Sequence, residues 1–215
     1  MKTFYVESLA SDIGLVWIDL QDEKVNKLST PVREELRMLL QEIRQQKEWR
    51  ALIFASRKPG CFIAGADIRE IENVTTPDHG YRLARSGQGV FQMIEDLPLL
   101  TVAAIDGACL GGGLEFALAC QFRVVTDAEK TSLGLPETKL GILPGFGGTQ
   151  RLPKVVGLAK ALELITAGKT LDGKKAQRCG LADELAHSEN LLDKTVALIR
   201  SVLLQGSARY LKRRG

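Results

Sequence analysis

Ala103–Val124, which reads AAIDGACLGGGLEFALACQFRV, decides the fold of this chain. The stretch begins as a buried strand, passes through the glycines Gly111 to Gly113, and continues as an apolar helix and a second strand. Glycines let backbone N–H groups approach a ligand closely, and the start of a helix favours negative charge. The stretch therefore predicts a strand–loop–helix unit whose loop can form an oxyanion hole. A tightly packed turn is the alternative that the glycines alone leave open.

Glu115 is the only charged residue between Asp106 and Arg123. Burying a carboxylate among such apolar neighbours is costly unless the group is partnered or protonated. Glu137 lies in a second glycine- and proline-rich stretch, LGLPETKLGILPGFGG. Two carboxylates in one apolar pocket can divide the roles of acid and base between them. The alternatives are a solvent-facing charge at the helix start for Glu115 and a surface loop position for Glu137.

Outward from this stretch, hydrophobic runs alternate between the periodicities of strands and helices. Strands are predicted at Ile13–Leu20 with Phe4–Val6 beside it, Ala51–Ala55, Leu99–Ile105 and Phe122–Val125. Helices are predicted at Thr30–Gln46, from Asp67, and at His79–Glu95. After a loop region with one short strand, helices are predicted at Thr149–Val156, Leu158–Ala167, Gly173–Cys179 and Asn190–Leu204. The pattern predicts an α/β fold with an all-helical tail, and does not choose among α/β arrangements.

Composition narrows the class of protein. The length of 215 residues fits a single domain, and a net charge of +3 gives no reason to expect nucleic acid as a ligand. Two distant histidines and four scattered cysteines without a CxxC pair argue against a metal site. No signal-peptide core or apolar run of ~20 residues is present, so we expect a cytoplasmic protein without a membrane span. The basic end, Leu211–Gly215, is predicted to be solvated or to begin a linker helix.

Four segments carry a resemblance to a known family. They are VNKLS (Val25–Ser29), FIAGADI (Phe62–Ile68), the stretch Ala103–Val124 and LPETKLGILPGFGGTQRLP (Leu135–Pro153). Together they make the chain similar to the crotonase, or enoyl-CoA hydratase/isomerase, superfamily. The two longer segments are specific enough that we do not attribute them to chance. The resemblance implies a spiral of ββα turns with a C-terminal helical region.

The resemblance also implies a substrate and a set of site residues. The substrate would be an acyl thioester of coenzyme A, whose oxygen the amides of Ala66 and Gly112 would hold as an oxyanion hole. Glu115 and Glu137 would be catalytic, and the backbone of Gly145 would help to place the water. Contacts to coenzyme A are expected from residues of one loop and the helix that follows, namely Ala64, Gly65, Asp67, Ile68 and Arg69. Phe146 stands where a small residue is common, and would narrow the acyl pocket.

The sequences GACLGGGLE and LPETKLG are most similar to the N-terminal hydratase part of the multifunctional fatty-acid oxidation complex α subunit. Residues 1–215 would then be one enoyl-CoA hydratase/isomerase domain from a longer chain. The presence of both glutamates favours hydration of 2-enoyl-CoA in β-oxidation, with isomerisation as a side activity. We expect no cofactor, and as partners the acyl-CoA substrate, other fatty-acid oxidation domains or subunits, and further copies of the chain.

Two other functions stay open. Within the family, the chain could be an isomerase, hydrolase or decarboxylase acting on another acyl-CoA, because one fold hosts many chemistries. Outside it, the chain could be a non-catalytic domain that docks partner subunits or binds RNA. The small net charge argues against RNA binding.

Overall fold

The computed structural model describes residues 2–205, which form two sheets flanked by helices. The strands are β1 Phe4–Ala10, β2 Ile13–Ile18, β3 Ala51–Ser56, β4 Cys61–Ile63, β5 Leu100–Ile105, β6 Ala108–Leu110, β7 Phe122–Thr126, β8 Ser132–Gly134, β9 Thr170–Leu171 and β10 Glu184–Ala186. The helices are α1 Thr30–Gln45, α2 Ile68–Glu72, α3 Pro77–Glu95, α4 Gly112–Ala119, α5 Gly148–Val156, α6 Leu158–Thr166, α7 Gly173–Arg178 and α8 Leu191–Gln205. Short 3-10 segments occupy Glu137–Leu140 and Ser188–Asn190.

The larger sheet has six strands in the order β1-β2-β3-β5-β7-β10, and the smaller has four in the order β4-β6-β8-β9. Within residues 2–205, β1 pairs with β2 and β8 with β9 in antiparallel fashion, and the other neighbouring strands are parallel. Each of three successive turns of the chain places one strand in the large sheet and the next in the small one. β3 leads to β4, β5 to β6, and β7 to β8, with helices between the turns. This arrangement confirms the predicted spiral of ββα turns.

Two apolar layers hold the sheets. The larger lies between the two sheets and the helices α1, α3 and α4, and has Phe54, Phe91 and Phe116 among its fully buried side chains. These rings meet edge to face around Phe116, with centroids 5.1 Å from Phe54 and 5.7 Å from Phe91. The smaller layer covers the other face of the large sheet, where α8 buries Ile199 and Val202. No helix within residues 2–205 is long and apolar enough to cross a membrane.

A close approach of α4 to β4 brings the glycine stretch to the small sheet. A Cβ atom on Gly113 would lie 2.2 Å from the carbonyl oxygen of Ile63, which is too close for any other residue. Every residue of α4 is buried. The helix thus enters the core directly after the glycines, and its single carboxylate enters with it.

The sequence-based prediction of an all-helical tail was wrong. The strands β9 and β10 interrupt the helices, and β10 extends the large sheet beside β7. Like β4 and β6, these strands have only two or three residues, too few to show a periodicity. The remaining predicted strands and helices are present, with ends shifted by a few residues. The basic end, Leu211–Gly215, lies outside the described residues.

The side chain of Asn26 ties together the turns that begin the spiral. Its Oδ1 accepts the amide of Leu20 at 2.9 Å, and its Nδ2 lies 3.1, 2.9 and 2.9 Å from Ile18 O, Ser56 Oγ and Phe62 O. The residue is 1% exposed. Without it the buried amide of Leu20 would lose its acceptor and three oxygen atoms would each lose a donor, so this side chain carries an unusual share of local stability.

Asn26→Ala is expected to lower the free energy of unfolding by about 3 kcal/mol, because it removes four hydrogen bonds at once and leaves the buried Leu20 amide without an acceptor. The measurement is urea denaturation followed by circular dichroism, with the midpoint falling at an unchanged slope. Gln45→Ala, on the exposed side of α1, is the matched control and should change stability by less than about 0.5 kcal/mol. A loss below about 1 kcal/mol in Asn26→Ala would contradict the stabilising role given to this side chain.

Candidate active site

A cavity of about 490 Å³ opens at one edge of the small sheet. Three adjacent parallel strands, β4, β6 and β8, end at this edge. The segments that follow them line the cavity: the loop Ala64–Asp67 after β4, Gly111 and Gly112 after β6, and Glu137 after β8. The carboxyl ends of parallel strands meet at one edge, which explains how segments far apart in sequence converge here.

The amides of Ala66 and Gly112 lie side by side. A Cβ on Gly112 would be 3.3 Å from the nitrogen of Ala66. Gly112 is the first residue of α4, so its amide has no acceptor within the helix. Within residues 2–205, neither amide donates a hydrogen bond to another group of the chain. The site therefore presents two adjacent backbone donors, one of them at the positive end of a helix.

The loop that carries Ala66 is held at three points. The amide of Ala64 donates to Asn26 O and that of Leu28 to Gly65 O, both at 2.8 Å. Asp67 then caps α2 by accepting the amide of Arg69 at 3.1 Å. These bonds fix the position of the Ala66 amide before any ligand arrives.

Glu115 is buried, with 1% of its surface exposed. Its Oε1 accepts two backbone amides, from Phe146 and Gly148, each at 2.8 Å. Burial raises the pKa of this carboxyl to about 7, and the nearby Glu137 adds to the rise. The two amides and the Arg151 guanidinium act in the opposite direction. The group is therefore poised to exchange a proton near neutral pH.

Glu137 stands on the other side of the glycine stretch. A Cβ on Gly111 would lie 3.2 Å from its Oε1. Burial raises the pKa of this carboxyl above its usual value. Its Oε2 is buried and has no hydrogen-bond partner among the described residues. A buried acceptor without a partner is costly, and here it lies in the wall of a cavity that also holds the two free amides and Glu115.

Arg69 is the one predicted site residue that does not line the cavity. Its guanidinium binds both carboxylate oxygens of Asp67, at 3.1 and 2.8 Å, and its side chain is 70% exposed. This ion pair lowers the pKa of Asp67 to about 2. The contact of Arg69 with coenzyme A stays a prediction, and it would be made from outside the cavity. Ala64, Gly65, Asp67, Ile68 and Gly145 all line the cavity, and their expected contacts with coenzyme A and water stay predictions.

The sequence reasoning missed Arg33. Its side chain is 1% exposed, lines the cavity, and stacks over the Phe146 ring at 5.1 Å from the guanidinium carbon to the ring centroid. It donates to Leu28 O at 2.7 Å and lies 3.4 Å from Glu70. The sequence did contain an indication that Arg33 is buried, because it falls on the apolar face of α1 with Leu36. Phe146 itself lines the cavity, consistent with the expected narrowing.

The comparisons with known proteins identify the family. A model of the enoyl-CoA hydratase/isomerase family matches residues 11–213. The chain belongs to this family. Its fold is similar to that of an enoyl-CoA hydratase from Bacillus anthracis, with 31% identity, a TM-score of 0.86, and coverage of 94% of this chain and 77% of that one. It is also similar to human mitochondrial Δ3-Δ2-enoyl-CoA isomerase, with 26% identity, a TM-score of 0.87, and coverage of 99% and 82%.

Membership of the enoyl-CoA hydratase/isomerase family confirms the resemblance drawn from the sequence and indicates acyl-CoA chemistry. The two similar structures have different activities by name, so membership leaves the reaction open. Origin from a multifunctional complex, and the assignment of residues 1–215 to one domain of it, stay predictions. Among residues 2–205, no three His, Cys, Asp or Glu side chains are grouped to hold a metal ion.

The raised pKa of Glu115 predicts a pH-dependent stability. Because burial favours the neutral acid, the folded protein holds this proton at pH values where the unfolded chain has lost it. Stability from this group is complete below pH 4.5 and is lost as the pH rises to about 7. The free energy of unfolding that is lost over this whole pH range is roughly 3 kcal/mol. Glu115→Gln keeps an acceptor for both amides and cannot ionise, so it should be more stable than wild type at pH 8.

The measurement is the free energy of unfolding in urea at pH 5 and pH 8 for wild type and Glu115→Gln. Glu42→Gln, on the exposed surface of α1, is the matched control for the loss of one carboxylate. The difference between Glu115→Gln and wild type should grow by roughly 2 kcal/mol from pH 5 to pH 8, less than the loss over the whole pH range because pH 5 already lies above the unfolded-state pKa. A difference that is the same at both pH values would show that Glu115 titrates normally.

Proposed function

We propose that this protein hydrates 2-enoyl-CoA to 3-hydroxyacyl-CoA in fatty-acid β-oxidation. One observation carries the proposal: two buried carboxyl groups, Glu115 and Glu137, line the same cavity as two free backbone amides, and one carboxylate oxygen has no partner. Addition of water across a conjugated double bond needs this set of groups. It needs a base, an acid, and donors for the charge that develops on the carbonyl oxygen.

The amides of Ala66 and Gly112 bind the thioester oxygen of the substrate. When water adds at the β carbon, negative charge moves onto this oxygen, and preformed donors stabilise it without reorganising. One such donor contributes roughly 3–4 kcal/mol to the transition state in well-studied cases. The position of Gly112 at the start of α4 strengthens the effect, because the helix end carries a partial positive charge.

Glu115 and Glu137 divide the proton transfers. Glu115 directs the attacking water and takes its proton, for which a pKa of about 7 suits neutral pH. Glu137 delivers a proton to the α carbon, for which its raised pKa and unpaired oxygen suit it. Gly145 lines the cavity beside Glu115, where its backbone helps to place the water. Hydration is not a redox reaction, and the two carboxyl groups and two amides account for the proton transfers and the charge on the carbonyl oxygen, so we propose that it uses no metal or redox cofactor.

Coenzyme A is the part of the substrate that the loop before α2 binds. Ala64, Gly65, Asp67 and Ile68 line the cavity from this side. Arg69 lies just outside the cavity with its side chain 70% exposed, where a phosphate of coenzyme A can reach it. Asp67 holds the guanidinium in place until the phosphate binds.

Isomerisation of the double bond is the second candidate. It needs one carboxylate to move a proton between carbons, and Glu137 beside the free amides meets that need alone. The similarity to human mitochondrial Δ3-Δ2-enoyl-CoA isomerase supports it. The retention of Glu115, with two amides holding it, favours hydration, because isomerisation needs no activated water.

The test is loss of the conjugated thioester absorbance of a short and a long 2-enoyl-CoA. Wild type should be active. Glu115→Gln and Glu137→Gln should each lose roughly 10²–10⁴-fold in kcat, because each removes a proton-transfer group. Glu42→Gln should match wild type. Binding of coenzyme A, measured by calorimetry, should survive in both site variants.

A parallel assay with 3-enoyl-CoA separates the two reactions. If wild type isomerises this substrate but does not hydrate 2-enoyl-CoA, the protein is an isomerase and the hydratase proposal fails. Full hydratase activity in Glu137→Gln would overturn the assignment of that residue.

A further inference from the structure

The loop before α5 presents the two amides that bind Glu115, and α3 and α5 hold that loop in place. Gln88 Nε2, from α3, donates to Gly145 O at 2.8 Å. That carbonyl belongs to the same peptide group as the Phe146 amide. In a trans peptide the C=O and N–H point in opposite directions, so the bond from Gln88 directs the Phe146 N–H towards Glu115.

Arg151, from α5, holds the next peptide group. Its Nη1 donates to Phe146 O at 3.0 Å, while its Nε and Nη2 lie 2.8 and 3.3 Å from the carboxylate of Glu95 on α3. The side chain of Arg151 is 10% exposed. Gly147 makes this contact possible: its φ is +111°, and a Cβ there would lie 2.1 Å from Arg151 Nη1.

The result is an asymmetric setting for Glu115. Both amides bind Oε1, and within residues 2–205 the other oxygen accepts no hydrogen bond from the chain. Glu115 lines the cavity, whereas Arg151 and Glu95 do not. One carboxylate oxygen is thus fixed by the protein, and the other is left for a molecule in the cavity.

We propose that Arg151, oriented by Glu95, is a positioning residue for Glu115, and that with Gln88 it fixes the loop so that one carboxylate oxygen is held and the other faces the reacting water. The inference rests on the proposed hydration for its kinetic consequences. Its structural part, that Arg151 holds the loop that binds Glu115 and that its charge favours the ionised carboxylate against the larger effect of burial, stands independently of the reaction.

The charged and titratable groups around Glu115 come from every helix and strand packed on α4. The positive charge of Arg151 favours the ionised carboxylate. Arg123 of β7 is buried at the opposite end of α4, where it donates to Ala117 O and Cys120 O. The remaining groups are the acids Glu137 and Glu95, the stacked Arg33, and the buried thiols Cys61 of β4 and Cys109 of β6. None of the thiols is ionised near neutral pH, because burial raises their pKa.

The signs of the expected shifts are opposite for the two members of the ion pair. Arg151→Met removes a positive charge, which raises the pKa of Glu115 and moves the acid limb of the pH–kcat profile to higher pH. Glu95→Gln removes the negative charge that balances Arg151, which moves the limb to lower pH. Each shift should be on the order of one pH unit. If the two substitutions instead loosened the loop, water would enter and Glu115 would be less buried. The acid limb would then move to lower pH in both variants.

Arg151→Lys separates charge from orientation. Lysine keeps the positive charge but cannot bind a carboxylate and a carbonyl in the planar geometry of a guanidinium. The acid limb should therefore stay near its wild-type position while kcat falls roughly ten- to hundredfold. KM should be unchanged in all three variants, since neither Arg151 nor Glu95 lines the cavity. If Arg151→Met fails to fold, the double variant Arg151→Met/Glu95→Gln replaces it and should titrate above Glu95→Gln.

The experiment is the pH–kcat profile for 2-enoyl-CoA hydration, run beside an infrared titration of the Glu115 carboxyl band, assigned by its loss in Glu115→Gln. Opposite shifts in Arg151→Met and Glu95→Gln support the proposal. Shifts in the same direction, or none, overturn it. If wild type does not hydrate, the infrared titration alone decides: opposite shifts there keep the positioning role while the proposed function fails.

Discussion

The structure depends on one constraint, the burial of the Glu115 carboxyl in a helix whose other residues are all apolar and buried. A carboxylate in such a place is unstable without partners. The partners come from a distant loop, through the amides of Phe146 and Gly148. That loop is held by Gln88 and by the Arg151 guanidinium, which the glycine at 147 leaves room for. A single charged residue in the core thus dictates the conformation of a segment some thirty positions away in sequence.

The spiral fold positions the rest of the site, namely the two backbone amides and Glu137. Because β4, β6 and β8 are parallel neighbours, the segments that follow them emerge together. Each strand has only three residues, so a short length of chain is enough to bring Ala66, Gly112 and Glu137 to one cavity. Backbone donors placed in this way need no side-chain ordering, and their positions follow from the sheet itself. The close approach of α4 to β4 at Gly113 then sets the distance between the two amides.

Some of this was predictable from sequence and some was not. The long hydrophobic runs predicted the strands of the large sheet, and the lone charge in an apolar helix predicted the burial of Glu115. The short strands β9 and β10 were missed because two or three residues carry no periodicity, and their pairing partners are remote in sequence. The contact of Arg69 with coenzyme A was implied by the family resemblance, and the sequence does not reveal that its guanidinium binds Asp67 outside the cavity. Arg33 interrupts the apolar face of α1. The reason for a buried arginine there becomes clear only from the structure, where it contacts Phe146 and Glu70.

The two carboxyl groups differ in how their burial is compensated, and that difference explains how one apolar cavity can support two roles. Burial raises the pKa of Glu115 to about 7, and two amides and the charge of Arg151 partly offset that rise. Glu137 has one buried oxygen with no partner in the described chain, so its burial is relieved only when it is protonated or when a ligand supplies a donor. Each group makes ionisation of the other harder. An incoming molecule that hydrogen-bonds to Glu137 therefore changes the protonation of Glu115 as well, and the pair responds to substrate as one unit.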